Sequence, residues 1–291
     1  MNREILVCCG TGCLANGSQA VADRFRAASS DLDVEVKPYV KKTGCNGFCE
    51  NGPMVTILPD HITYYKVHPA DVEEILASLG GNAVERLLYK NDEGKPVHAR
   101  EENPFYASQL KIALRNTGIV DPGSIDDYIK RDGYKGLAKA LSLPQEAVIR
   151  ELEISGLRGR GGAGFPTGKK WRSCYEVASD TKYMICNGDE GDPGAFMDRS
   201  IMEGDPHSVL EGLVIGAYAI GAKKGFLYIR DEYGLALTYV QAAIDEGERR
   251  GYLGKNIMNS GFDFDCEIVR GGGAFVCGES SALMNSIEGK V

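Results

Sequence analysis

The sequence has one tryptophan, no C-x-x-C motif, no excess of basic residues and no apolar run of membrane-spanning length. A net charge of −8 gives no electrostatic footprint for nucleic acid. The most apolar stretch, 213–220, is interrupted by Gly216 and is far shorter than the roughly 18 residues that a membrane span needs. Without C-x-x-C, a thioredoxin-type dithiol site is not expected. The remaining composition is that of a globular protein, and 291 residues suffice for two domains.

The N-terminal residues enter a strand pattern directly, without the apolar core and small-residue cleavage site of a secretory signal. We therefore expect a cytoplasmic protein without a leader. Its nine cysteines are an odd number, and a disulfide framework is not expected in that compartment. The cysteines are therefore expected to have a role other than forming disulfides.

Residues 1–80 follow the order β-α-β-β-β-α, which is typical of a thioredoxin-like fold. The predicted strands are 4–8, 34–39, 54–58 and 62–66, and the predicted helices are 18–28 and 69–79. The polar, charge-mixed stretch 81–103 is interpreted as a linker.

The rest of the chain, 104–291, is predicted to be a second domain of Rossmann-like α/β class. Helices are expected at 104–116, 125–141 (with breaks at its glycines) and 144–155. From residue 182 onward, strands at 183–186, 225–230 and 264–269 alternate with helices at 206–220 and 235–248. Such alternation predicts helices layered on a mainly parallel sheet, so the fold class is α/β for both domains.

Four cysteines form two short pairs, Cys8 with Cys13 and Cys45 with Cys49, each in a glycine-containing loop just past a predicted strand. Thiolates on such loops suit the iron of an iron–sulfur cluster. The composition of the first pair is ambiguous, because Cys9 could replace Cys8 and form a C-x3-C pair with Cys13. The alternatives are a zinc site on the same thiolates, although zinc favours C-x2-C pairs, and buried cysteines that serve only packing.

The segment 159–164, Gly-Arg-Gly-Gly-Ala-Gly, matches G-x-G-x-x-G, a weak signal because it follows a helical stretch instead of a strand. An aromatic residue and two cations follow it at Phe165, Lys169 and Lys170, just before Trp171. Cations beside a glycine loop suit a flavin phosphate or a pyrophosphate. The alternatives are a solvated helix start for the lysines and a core position for the tryptophan.

Two further loops follow predicted strands. The first, 187–194, carries the carboxylates of Asp189, Glu190 and Asp192, which suit ribose hydroxyls or a ring amide but also fit a solvated turn. The second, 270–280, opens a predicted helix at 281–288, a geometry that favours anions. The remaining cysteines are isolated and are interpreted as structural: Cys174, Cys186, Cys266 and Cys277.

The segments Gly-Thr-Gly-Cys-Leu-Ala-Asn-Gly (10–17) and Thr-Gly-Cys-Asn-Gly-Phe-Cys (43–49) resemble the thioredoxin-like [2Fe–2S] ferredoxins. The resemblance implies that Cys8, Cys13, Cys45 and Cys49 are the cluster ligands and that Cys9 is a spectator.

Four longer motifs, at 156–171, 186–199, 253–258 and 277–289, resemble the FMN- and NADH-binding subunit of respiratory complex I. The fused ferredoxin domain makes the chain more similar to flavoprotein subunits of NAD(P)-linked soluble hydrogenases, including electron-bifurcating ones. By this resemblance FMN contacts Gly159, Arg160, Gly161, Lys170, Asn187, Asp189, Glu190, Gly278 and Glu279. The nicotinamide nucleotide would lie near Gly162, Phe165, Asp192 and Ser280.

The resemblance implies that NAD(P)H gives a hydride to FMN and that electrons then leave singly through iron–sulfur clusters. This step needs no general acid or base, so no catalytic residue is predicted. The expected partners are a hydrogenase catalytic subunit and a small ferredoxin-like subunit. The alternative is a non-catalytic module that carries a [2Fe–2S] cluster and docks partners.

Two departures from the family pattern have consequences. Ser280 stands where a second glutamate is common, and a carboxylate there would repel the 2′-phosphate of NADP by about 1–4 kcal/mol at 4 Å. We therefore expect the protein to accept NADP(H). The family also continues into a domain with a [4Fe–4S] cluster, whereas this sequence ends at 291 without C-x-x-C-x-x-C. We expect weaker FMN retention here, and a [4Fe–4S] cluster only in a longer form.

Overall fold

The first apolar strand of the chain lies inside a four-stranded sheet. Its strands are β1 (Glu4–Cys8), β2 (Tyr39–Thr43), β3 (Val55–Leu58) and β4 (Ile62–Tyr64), in the order β2-β1-β3-β4. β1 pairs with β2 in parallel and with β3 antiparallel, and β3 pairs antiparallel with β4. The helices of this region are α1 (Thr11–Ala15), α2 (Ser18–Ser30) and α3 (Val72–Ala77).

The computed structural model describes residues 3–30 and 37–290. Its contacts divide the chain into two units. The first runs to Ser124 and also includes Glu203–Asp205, and the second comprises the remainder from Ile125 on. Each unit has a hydrophobic core of its own.

The core of the first unit forms where sheet and helices bury their apolar faces. Ile5 and Val7 of β1 are fully buried, as are Phe25 of α2 and Ile75 of α3. Burying a side chain of this size contributes roughly 1.5–3 kcal/mol. The predicted β-α-β-β-β-α order is confirmed, with α1 as an addition.

Two predicted elements of this unit differ from the structure. The predicted strand 34–39 falls partly on 34–36, outside the described residues, and the observed strand starts at Tyr39. The predicted helix 104–116 is wrong, because only α4 (Pro104–Ala107) forms. A helix depends on burying an apolar face, and here Leu110 and Ile112 stay 86% and 67% exposed.

Residues 81–103, interpreted as a linker, contain two short paired strands, β5 (Tyr89–Lys90) and β6 (Pro96–Val97). Three apolar side chains of this stretch pack into the core of the first unit: Val84, Leu87 and Leu88. The predicted division into a first domain (1–80), a linker (81–103) and a second domain (104–291) stays a prediction. The two units described above are defined by contacts between residues, and they do not test where the domains begin and end.

The second unit is built on a parallel sheet of β7 (Tyr183–Gly188), β8 (Lys224–Arg230) and β9 (Asp265–Gly271), in that order. From Ile125 on, the helices are α5 (Ile125–Lys130), α6 (Lys135–Leu141), α7 (Gln145–Ser155), α8 (Thr167–Glu176), α9 (Met197–Gly204), α10 (Pro206–Ile220), α11 (Gly234–Arg249) and α12 (Ser280–Ile287). The predicted parallel α/β arrangement is confirmed. Because all three strands run the same way, the loops that follow them emerge at one edge.

The core of the second unit centres on α10 and β8. Val214 of α10 and Leu227 of β8 are fully buried, and Phe264 packs with them. α10 buries ten of its 15 residues, His207 and Glu211 among them, as a helix in the interior of a domain does. Within residues 3–30 and 37–290, no helix combines the length and hydropathy needed to cross a membrane.

A buried polar network holds the start of α6. The Glu211 carboxylate accepts the backbone N–H of Tyr134 and of Leu137, each at 2.9 Å, and a hydrogen bond from the Tyr128 hydroxyl. The Tyr134 hydroxyl lies 2.9 Å from Nδ1 of His207. His207 is 2% exposed, and burial lowers its pKa to about 4, partly offset by the charge of Glu246.

We expect the second unit to lose stability as the pH falls from about 6.5 to 4. The unfolded chain binds a proton at His207 below its ordinary pKa of 6.5, whereas the folded chain does so only near 4. A depressed histidine pKa therefore contributes stability that is present above 6.5 and is lost toward 4, about 3 kcal/mol over that window. Urea unfolding followed by fluorescence of Trp171, the only tryptophan, measures it.

The variant His207→Phe should show a flatter pH dependence between 6.5 and 4 than the parent, while the exposed control His68→Gln should keep the parent slope. Equal slopes in the parent and in His207→Phe would contradict the assignment to His207.

Candidate functional sites

The four paired cysteines come together in the first unit. Cys8 ends β1, Cys13 lies in α1, Cys45 follows β2, and Cys49 opens a 3₁₀ turn, Cys49–Asn51. Cys8 and Cys13 are each 1% exposed, and the other two are half-buried. The Sγ atoms of Cys45 and Cys49 are 3.5 Å apart. Two chain segments thus deliver four thiols to one place.

The thiols affect one another's ionisation. The neighbouring Cys13 and Cys45 thiols hold the pKa of Cys8 well below its ordinary range, and Cys8 in turn raises the pKa of both. The backbone N–H groups of Asn46 and Gly10 lower the pKa of Cys8 further. The backbone therefore points donors at sulfur, as iron–sulfur sites require.

The structure separates Cys8 from Cys9. Neighbouring residues at the end of a strand face opposite sides of the sheet. The Cys9 thiol lies in the apolar core, where it accepts a hydrogen bond from the Ser18 hydroxyl at 3.8 Å and burial raises its pKa to about 11. The geometry thus groups Cys8 with the other three thiols and places Cys9 elsewhere.

Glycines keep the space between the thiols open. A Cβ added to Gly12 would lie 2.9 Å from Sγ of Cys49, and one added to Gly52 would lie 2.5 Å from Sγ of Cys13. The donor set, four thiols with glycine backbone around them, fits a [2Fe–2S] cluster. Among the described residues, no group of three or more His, Cys, Asp or Glu side chains is arranged to hold a single metal ion.

The cysteine loop 45–49 is braced by residues that the sequence did not single out. Oδ1 of Asn46 accepts a hydrogen bond from Nη1 of Arg100 at 2.8 Å, and its backbone oxygen accepts one from Lys111 at 3.4 Å. The Phe48 ring stacks on Phe105 with centroids 4.3 Å apart. These partners lie more than 50 residues away in sequence, so no local pattern could have identified them.

In the second unit, the loops that follow β7 and β9 meet at the carboxyl edge of the sheet. The Asn187 side chain donates to the Gly278 backbone oxygen at 2.9 Å, and its own oxygen accepts the N–H of Asp189 at 3.1 Å. A Cβ on Gly278 would lie 3.5 Å from the Asp189 backbone oxygen. Three of the predicted FMN residues are therefore together.

The Asp189 carboxylate is the most unusual group at this edge. Its side chain is 0% exposed and lies 3.5 Å from Nη1 of Arg230. Among the described residues, neither carboxylate oxygen nor that Nη1 has a hydrogen-bond partner. Burial raises the pKa of Asp189, opposed by the charge of Arg230. Buried polar atoms without partners are rare, so this pair fits a ligand that supplies hydroxyl or N–H donors.

Glu190 and Glu279, both predicted to contact FMN, cap helices in the structure. Glu190 accepts the N–H groups at the start of α9, from Met197 at 2.6 Å and Asp198 at 3.1 Å. Glu279 accepts the Ser281 N–H at 2.9 Å, and its hydrogen bond with the Ser281 hydroxyl is the main cause of its lowered pKa. Each carboxylate therefore fixes the helix that follows its loop.

The glycine loop 159–164 forms an exposed turn between α7 and α8. The Gly159 N–H donates to the Phe165 backbone oxygen at 2.9 Å, which closes the loop. Gly162 adopts a φ of 96°, and a Cβ on it or on Gly161 would meet nothing within 4 Å. The loop backbone is thus open for a ligand to approach.

The other predicted residues of this region differ in exposure. Trp171 packs against the core, in line with the interpretation of that tryptophan as a core residue. The remaining predicted ligand residues have exposed positions: Arg160, Phe165, Lys170, Asp192 and Ser280. Direct contacts join Asn187, Asp189 and Gly278. The hydrogen bond that closes the glycine loop runs from Gly159 to Phe165 and involves none of these three residues.

Arg230 and Phe275 also lie at this candidate site, although no sequence motif indicated them. A Cβ on Gly191 would lie 2.8 Å from Cδ2 of Phe275 and 3.0 Å from Nη1 of Arg230, so both side chains cover the loop that follows β7. Phe275 is nevertheless 68% exposed. A basic residue at the carboxyl end of the apolar strand β8 was the available signal for Arg230.

Two protein families match the chain. Residues 2–80 match the thioredoxin-like [2Fe-2S] ferredoxin family, and residues 152–291 match the Nuo51 FMN-binding domain. The predicted family, fold class and cofactor-binding domains are confirmed.

Curated proteins with similar sequences are consistent with these two family matches. The chain is 58% identical over 62% of its length to the NADP-reducing hydrogenase subunit HndC of Solidesulfovibrio fructosivorans, covering 37% of that protein. It is 50% identical over 64% of its length to an NADH-quinone oxidoreductase subunit of Aquifex aeolicus, covering 43%. It is 36% identical over 99% of its length to the alpha subunit of the NAD-reducing hydrogenase HoxS of Cupriavidus necator, covering 47%. The chain thus spans less than half of each, and it combines a segment that matches the thioredoxin-like [2Fe-2S] ferredoxin family with a segment that matches the Nuo51 FMN-binding domain.

Proposed function

We propose that the chain is the flavoprotein part of an NAD(P)H:acceptor oxidoreductase. FMN, when bound, exchanges a hydride with NAD(P)(H) and single electrons with iron–sulfur clusters. The observation that carries the proposal is that one chain contains both kinds of site. Four thiols converge in the first unit. Among the described residues of the second unit, buried polar atoms without hydrogen-bond partners lie at the carboxyl edge of the sheet.

In the first unit, the ligands of the [2Fe–2S] cluster are Cys8, Cys13, Cys45 and Cys49. Their support is the thiol grouping around Cys8 and the glycines that leave room between the sulfur atoms. The N–H groups of Gly10 and Asn46 stabilise negative charge on the Cys8 sulfur. Cys9 has no role at the cluster.

In the second unit, Asp189 accepts hydrogen bonds from ligand hydroxyls, and Asn187 holds the loops of β7 and β9 in place around the ligand. The cations Arg160 and Lys170 beside the open glycine loop attract phosphate. The other FMN residues of the proposal are Gly159, Gly161, Glu190, Gly278 and Glu279. The nucleotide residues are Gly162, Phe165, Asp192 and Ser280.

The partners are the other subunits of a multi-subunit, hydrogenase-type complex in the cytoplasm. The hydrogenase names of two relatives, one NADP-reducing and one NAD-reducing, support this assignment. No residue acts as a general acid or base, because the hydride step requires none.

Anaerobic absorption spectra of the chain reconstituted with FMN and a [2Fe–2S] cluster test the function. We expect the flavin absorption near 450 nm to bleach on addition of NADPH as well as NADH. With Ser280→Glu, we expect the ratio of kcat/KM for NADPH to that for NADH to fall about tenfold, because a carboxylate would repel the 2′-phosphate by about 1–4 kcal/mol.

The matched control is Ser280→Gln, which adds the same bulk without the charge. A parent that prefers NADH more than a hundredfold, or equal ratios in the two variants, would contradict the role of Ser280. Cluster absorption without a reducible flavin would instead support the non-catalytic electron-transfer module.

A further inference from the structure

We propose that Glu203 is a positioning residue for the first cysteine loop, 8–13, and that it lowers the reduction potential of the cluster bound between this loop and the second, 45–49. The inference rests on the [2Fe–2S] cluster of the proposed function. It concerns a side chain far from every cysteine of the first unit in sequence, within the Glu203–Asp205 segment that packs with that unit.

Glu203 holds the first cysteine loop through Thr11. The Glu203 side chain is buried, at 3% exposure. Its Oε1 accepts a hydrogen bond from the Thr11 hydroxyl at 2.6 Å, and its Oε2 accepts the Thr11 backbone N–H at 3.2 Å. Thr11 is the first residue of α1 and lies between Cys8 and Cys13, so the carboxylate satisfies a terminal N–H of the helix that carries Cys13.

The next two residues of the segment reach the second cysteine loop and its surroundings. A Cβ on Gly44 would lie 2.3 Å from Cα of Gly204, and the Gly44 backbone oxygen accepts a hydrogen bond from the Cys8 thiol at 3.6 Å. Oδ2 of Asp205 accepts a hydrogen bond from Asn116 at 2.8 Å. One short segment therefore touches the loop that contains Thr11 and the residue that precedes Cys45.

A buried carboxylate at this place acts on the cluster electrostatically. Reduction adds an electron to a cluster that is already anionic, and a nearby negative charge with little solvent screening opposes it. Groups that contact the ligand loops, and not the metal, set ligand orientation and potential in many metal sites. Glu203 acts through Thr11, so it is not a ligand.

Redox titration followed by electron paramagnetic resonance, on the full chain with a reconstituted cluster, tests the proposal. In Glu203→Gln the midpoint should become more positive, with the ratio of reduced to oxidised cluster raised about tenfold at a fixed potential, which is about 59 mV for one electron. Glu203→Asp keeps the charge and should recover most of the parent midpoint. The control Asp71→Asn removes another buried carboxylate of the first unit, one bonded to His68 and Arg86, and should leave the midpoint unchanged.

A second pair of variants tests the positioning role if Glu203→Gln fails to retain a cluster. Thr11→Val removes the hydroxyl that Glu203 binds, whereas Thr11→Ser keeps it. We expect iron release to a chelator to be at least about threefold faster in Thr11→Val than in Thr11→Ser, because both variants keep the backbone N–H bond to the carboxylate but only the serine variant keeps the hydroxyl bond.

The possible results distinguish a failure of this inference from a failure of the proposed function. A loaded Glu203→Gln with the parent midpoint, or equal iron release from the two Thr11 variants, overturns the inference and leaves the proposed function intact. A parent chain that accepts no [2Fe–2S] cluster removes the proposed function and the inference with it.

Discussion

Replacing Cys8 with serine should remove the [2Fe–2S] cluster or change its absorption and circular dichroism, whereas the same replacement at Cys9 should leave the cluster and its spectra unchanged. The Cys8 thiol is the one whose pKa both Cys13 and Cys45 lower, so its loss removes the centre of the group. Cys9 lies in the apolar core beside Ser18, on the other side of the sheet. Visible absorption, circular dichroism and iron content of the reconstituted chain measure the difference.

The comparison is well matched, because the two positions are adjacent and both are buried. Cys9→Ser places a hydroxyl in the core and should cost about 1–3 kcal/mol of unfolding free energy without loss of iron. Retention of a normal cluster in Cys8→Ser together with its loss in Cys9→Ser would show that Cys9, with Cys13, forms the first pair.

Replacing Asp189 with alanine should weaken FMN binding and stabilise the FMN-free protein at the same time. The carboxylate is fully buried, and its oxygens have no hydrogen-bond partner among the described residues, so the protein without ligand carries an unsatisfied group. Removing it should raise the unfolding free energy of that state by about 1 kcal/mol. Losing the acceptor for ligand hydroxyls should raise the Kd for FMN about thirtyfold, near 2 kcal/mol.

Quenching of flavin fluorescence measures the Kd, and urea unfolding measures the stability. Arg230 retains Glu232 as an ion partner at 2.5 Å in the variant, so no new unpaired cation is created. Asp231→Ala, which removes an exposed carboxylate just past β8, should change neither quantity by more than about 0.5 kcal/mol. A destabilised Asp189→Ala with parental FMN affinity would show that the carboxylate is purely structural.

The sequence indicated the elements whose pattern is local. The helix 206–220 and the strand Glu4–Cys8 were predicted with their observed bounds, because each has a mostly apolar sequence and the helix has clear end signals in Pro206 and Gly221. The region 104–116 was not predicted correctly. Its apolar residues suggested a helix, and only the tertiary packing shows that Leu110 and Ile112 stay exposed.

The same limit applies to the sites. Cysteine spacing indicated the pairs, but the choice of Cys8 over Cys9 depended on resemblance until the strand placed the two on opposite faces. Arg230 beside Asp189 and Glu203 beside Thr11 join residues 41 and 192 positions apart, respectively. Contacts of that range are set by the tertiary fold and have no signature in a local motif.

The capping of α12 by Glu279 has a consequence for phosphate recognition. The start of that helix already carries an intramolecular anion, held by the Ser281 and Ala282 N–H groups at 2.9 and 3.2 Å. A phosphate that approached these two N–H groups would compete with the carboxylate for the same donors. We therefore expect the FMN phosphate to depend on the cations near the glycine loop, Arg160 and Lys170, and not on the Ser281 and Ala282 N–H groups.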